Sequence, residues 1–60
     1  LGKEFEIQVK TALMRKDKNL SWLAETLGIS VAYLCDILAG NRKAIRQRER
    51  IIAILELKEN

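Results

Sequence analysis

Residues 19–42 read NLSWLAETLGISVAYLCDILAGNR, and this stretch decides the fold. Leu23 and Leu27 stand four apart; Leu34, Ile37 and Leu38 stand three and four apart. Each set lines one face of a short helix. Between them lies Gly28, where a first helix can end in the left-handed conformation that costs glycine nothing sterically. Ser30 follows, placed to accept a hydrogen bond from the first free amides of a second helix. Ala24 is small where the second helix would cross the first. Helix, glycine corner, serine cap and helix together predict a helix-turn-helix.

The residues at these positions resemble the DNA-binding domains of phage lambda-type repressors and Cro proteins. The resemblance is carried by Leu23-Ala24, by Leu27-Gly28-Ile29-Ser30 and by the Leu34/Ile37 pair, and more loosely by Val9-Lys10 and Gly40-Asn41-Arg42. It implies an all-α, lambda-repressor-like bundle of four helices, or five, over residues 1–60 as one domain.

Sixty residues sit near the lower limit for a chain that folds without staples. One cysteine and no histidine leave no disulfide framework and no Cys/His zinc site, so no metal and no cofactor is expected. Cys35, without a histidine base, reads as a small apolar residue and not as a nucleophile. With no glycine-rich phosphate loop and thinly spread acids, no catalytic constellation forms, and the expectation is a non-enzyme. No apolar run is long enough for a membrane span and no signal-peptide pattern opens the chain, so a reduced cytoplasmic setting is expected.

Net charge is +3, and its distribution says more than its total. Arg42, Lys43, Arg46, Arg48 and Arg50 are opposed locally only by Glu49. Such a run is either a solvated helix face or a phosphate-binding surface. Its start at the end of the proposed second motif helix favours phosphate.

Upstream, Phe5, Val9, Ala12 and Leu13 form the core stripe of a first helix from Lys3 to about Lys16, while Ile7 and Met14 fall off it and would cover a neighbouring helix. Asn19 is a good N-cap for the second helix. Trp22, about 100° off the leucine stripe, either seals the core edge or anchors a partner. The third helix should run from Val31 to Ala39 and end at Gly40. The fourth should run from Ile45 to Leu57, with Ile51 and Leu55 in the core. Ile52, Ile54 and Leu57 then exceed what one small domain needs to cover, and they would pack either under the first helix or against a second chain.

The resemblance implies roles for individual residues. Base-reading positions correspond to Val31, Ala32 and Asp36, with Cys35 beside them. Phosphate-binding positions correspond to Asn19, Ser30, Tyr33, Asn41, Arg42, Lys43 and Arg46. Arg48 and Arg50 would point around the helix, with at most one facing DNA. Two departures stand out: Leu20 replaces a polar residue common in such repressors and should turn inward, and Leu13 with Leu38 replaces a buried arginine–glutamate pair. Two packed leucines in place of a buried ion pair are often neutral or stabilising.

The readers are unusual. Val31 and Ala32 suit thymine methyl groups, and Asp36 suits a cytosine amino group but is repelled by phosphate. The expected function is a sequence-specific double-stranded DNA-binding regulator, a phage or mobile-element repressor or Cro-like protein acting by operator occupancy. It is expected as a homodimer through Ile52, Ile54 and Leu57. The alternatives are a protein-interaction module on the same fold, such as an antirepressor or antitoxin, and a weakly specific architectural DNA binder.

Overall fold

In the computed structural model, which describes residues 3–57, four helices follow one another: α1 (Lys3–Arg15), α2 (Leu20–Leu27), α3 (Val31–Ala39) and α4 (Ile45–Leu55). No strand and no fifth helix occurs among the described residues. α1 and α2 each pack against both α3 and α4. The radius of gyration, 10.3 Å, is what a compact chain of this length gives, about 10 Å.

The periodicities locate the core. Val9 and Leu13 of α1, Leu23, Ala24 and Leu27 of α2, Leu34, Ile37 and Leu38 of α3, and Ile51 and Leu55 of α4 form one buried cluster. Leu13 and Leu38 are both in it and closed to water, as two packed leucines should be. No polar or charged residue is buried among the described residues. Phe5, Ala12, Leu20, Ile29 and Tyr33 pack around this centre half-buried, and Leu20 turns inward as its apolar character requires.

Each helix closes with the same device. A residue one or two past the helix adopts a positive φ, and the amide beyond it returns to a carbonyl five residues back, satisfying oxygens that would otherwise lack a partner. After α1 the left-handed residue is Asp17 (φ 59°) and Lys18 N–H donates to Leu13 O at 2.8 Å. After α2 it is Gly28 (φ 77°), with Ile29 N–H donating to Ala24 O at 3.0 Å. After α3 it is Gly40 (φ 85°), with Asn41 N–H donating to Asp36 O at 2.9 Å. After α4 it is Glu56 (φ 55°), with Leu57 N–H donating to Ile52 O at 3.0 Å.

The last helix is therefore two residues shorter than its apolar pattern suggests, because the Glu56 turn stops it at Leu55. Ile54 and Leu57 are half-buried against the chain's own core, and Leu57 lines a groove of about 600 Å³ shared with Ile7, Thr11 and Ala12 of α1. The first helix thus takes up part of the apolar surface that the sequence left over; Ile52 is half-exposed. Ile7 and Met14 do not cover a neighbouring helix. They are 61% and 78% exposed, because the turn of α1 that buries Val9 and Leu13 carries them outward.

Candidate nucleic-acid interface

The site is built on the α2–α3 corner. Asn19 caps α2, its Oδ1 accepting from Trp22 N–H at 2.9 Å, and Ser30 caps α3, its Oγ accepting from Tyr33 N–H at 3.1 Å. Three residues, Gly28 to Ser30, join the helices, and the axes turn through 102°. A turn of this length and angle is the geometry of a helix-turn-helix. A Cβ on Gly28 would meet nothing within 4 Å, so glycine is required there for its positive φ and not for space.

With Leu34, Ile37 and Leu38 buried, α3 presents Val31, Ala32, Cys35 and Ala39 to solvent. Val31 is 41% exposed, and Cys35 is a free, exposed thiol. Asp36 and Tyr33 lie on the edge of this face, half-exposed. All four residues expected to read bases are thus reachable by solvent on one helix, and the face they form is largely apolar.

The phosphate candidates divide. Asn19 and Ser30 each use a side-chain oxygen as a cap, which leaves the Asn19 amide nitrogen and the Ser30 hydroxyl hydrogen as donors. Tyr33 packs its ring on the core rim. Asn41, Arg42, Lys43 and Arg46 are exposed. The Gly40 reversal folds the following loop back over α3. It brings Arg42 Nε to 3.6 Å from Asp36 Oδ2 and sets its guanidinium carbon 5.2 Å from the Tyr33 ring centroid. Lys43 and Arg46 make no ion pair among the described residues.

The basic run is less available than its sequence suggests. Arg48 lies over the Phe5 ring, 4.5 Å to the centroid, and Arg50 Nη1 donates to Leu27 O at 3.1 Å, capping the end of α2. Both cations thus have a partner within the bundle, although Arg50 remains exposed. Sequence spacing could not show this, because Arg50 and Leu27 are 23 residues apart. Trp22 is also accounted for: its ring is half-buried against the core with Lys18 Nζ 5.4 Å from the centroid, which is the edge-sealing role.

Two features escaped the sequence reading. One is the Tyr33–Asp36–Arg42 cluster; the glycine at position 40 was the signal, since a left-handed helix end turns the next residues back along the helix. The other is the start of α4. Its N-cap is Ala44 (φ 38°), with no side-chain hydrogen bond, so the first amides of α4 remain free donors beside Lys43 and Arg46. No group of His, Cys, Asp and Glu able to hold a metal ion occurs among the described residues, and no single helix there is long and apolar enough to cross a membrane.

Compared with protein-family models, curated proteins and solved structures, the chain finds no match in any of the three.

Proposed function

We propose that this chain is a double-stranded DNA-binding regulator that inserts α3 into the major groove and acts by occupying its site. The observation that carries the reading is the 102° corner between two short capped helices, with the outer face of the second one open to solvent. The lambda-type repressor and Cro resemblance of the α2–α3 residues supports the same reading. So do Lys43, Arg46 and the uncapped amides of α4, which form a donor cluster suited to phosphate oxygens. Val31, Ala32 and Cys35 contribute shape and thymine-methyl contacts. Regulation at two half-sites would need a second copy, and Ile52, with the rim of Ile54 and Leu57, is the face we assign to it.

The test is affinity for random-sequence and selected duplexes across a salt series. Phosphate binding gives a log–log slope of about −0.9 per phosphate neutralised. Lys43→Ala and Arg46→Ala should each weaken binding about equally on all sequences and flatten that slope by about one unit. A flat salt response, or no binding at low salt, would refute the reading.

A protein-interaction module on the same fold is the second reading. It is favoured by the apolar side chains standing in solvent at the starts of α3 and α4, Val31 at 41% and Ile45 at 65% exposed. Such a module would bind no DNA at low salt.

A further inference from the structure

Resting on the DNA-binding reading above, we infer that Arg42, which precedes α4 in sequence, is the base-reading side chain of the α3 face, with guanine as its target. Asp36 is then its positioning residue and not a reader of cytosine. The outer face of α3 is poor in strong donors: Val31, Ala32 and Ala39 are apolar and Cys35 is a weak donor. The Gly40 turn remedies this by returning the loop over the helix. Two independent contacts then hold the guanidinium there, the Tyr33 ring at 5.2 Å and the Asp36 carboxylate at 3.6 Å.

The atoms involved determine what the group can do. Asp36 faces the Nε side of the guanidinium, and the terminal nitrogens Nη1 and Nη2 make no hydrogen bond among the described residues. Those two nitrogens offer parallel donors. Guanine presents two acceptors, N7 and O6, side by side on its major-groove edge, and this is the geometry a guanidinium fork matches. Phosphate also accepts a fork, but the neighbouring carboxylate discriminates. It offsets the charge of Arg42 and repels a phosphate anion, while leaving hydrogen bonding to a neutral base edge intact. An exposed ion pair contributes little to folding, so the role of this one lies in fixing the direction of the fork before DNA arrives.

Duplexes selected from a random pool by the wild-type chain should hold an invariant guanine. Replacing that G·C pair with A·T should weaken binding roughly 5- to 150-fold, the range for one bidentate base contact. Arg42→Ala and Arg42→Lys should both lose that discrimination, the lysine variant retaining the charge without the fork. Asp36→Ala should reduce discrimination severalfold while steepening the salt slope by up to about 0.9, because the freed guanidinium turns to phosphate. Arg42, Asp36 and their ring contact lie outside the core, and far-UV circular dichroism of each variant checks that it folds.

Four outcomes overturn the inference. Uniform weakening in Arg42→Ala makes Arg42 a phosphate contact. Discrimination that survives in Arg42→Ala and is lost in Asp36→Ala returns the reading to Asp36. Wild-type binding with no guanine preference removes the inference and leaves DNA binding standing. No binding at low salt removes both.

Discussion

Replacing Leu38 with alanine tests the packing that fixes the orientation of α3. Leu38 is 1% exposed and lies in the same buried cluster as Leu13. Truncation removes three carbons, at about 0.8 kcal/mol each, so lost transfer alone is roughly 2.4 kcal/mol. The cavity left in a core drawn from four helices adds to this, and the total for buried leucine truncations is about 2–5 kcal/mol. A domain of this size has a total stability of roughly 3–9 kcal/mol. One substitution therefore removes about a fifth of it or more. With each kcal/mol worth about 4–8 °C in a small domain, the melting temperature should fall by about 8 °C or more.

The assay is urea and thermal unfolding followed both by helical circular dichroism and by Trp22 fluorescence, with coincident transitions checking two-state behaviour. Met14→Ala is the matched control, a similar loss of volume at a position 78% exposed, and it should change stability by less than about 0.5 kcal/mol. A Leu38→Ala cost below about 1 kcal/mol would mean that α3 is not seated on α1 as described. A Met14→Ala cost matching that of Leu38→Ala would mean that Met14 is covered in solution.

Three further outcomes follow from the caps and turns. Arg50→Met keeps the aliphatic stem but loses the donor to Leu27 O, and should cost about 1 kcal/mol in urea unfolding. Gly28→Ala and Glu56→Gly should move stability in opposite directions on thermal melting. The first forces a Cβ into φ 77° for a loss of about 1 kcal/mol, and the second relieves a side chain at φ 55° for a gain of about 0.5–1 kcal/mol. Asn19→Ala removes the acceptor for Trp22 N–H and should destabilise by about 0.5–2 kcal/mol, with Asn19→Ser restoring most of the loss.

Much of this fold could be read from the chain because the deciding chemistry is local. Asn19 and Ser30 cap helices three residues ahead, Gly28 and Gly40 end them, and the leucine spacings mark the buried faces. α3 accordingly runs from Val31 to Ala39 in the structure as the spacing predicts. The misreadings come from long-range or unmarked events. Nothing about Glu56 announces a left-handed turn, and so α4 was expected to reach Leu57. Arg48 and Arg50 were expected to point around the helix, but their partners, Phe5 and Leu27 O, come within reach only through the packing of α4 against α1 and α2. Ile7 and Met14 are apolar without being covered, because hydropathy does not report which side of α1 the other helices reach. The candidate site was legible as a list of residues. Its pairing of Arg42 with Asp36 was not, since that depends on the path of a loop.

The bond from Arg50 to the end of α2 bears on how the molecule opens. The last carbonyl of α2 is held by a side chain from the final helix, so opening of α4 removes one hydrogen bond, worth about 1 kcal/mol, from the corner between α2 and α3. Brief excursions from the native state should therefore involve both ends of the motif together. Amide hydrogens at Gly28 and Ile29, whose bonds close α2, should exchange with solvent at rates tied to those of α4 and not to local fraying. A surface that must present α3 at a fixed angle gains from this, because few of its excursions would leave the helix attached but misaligned.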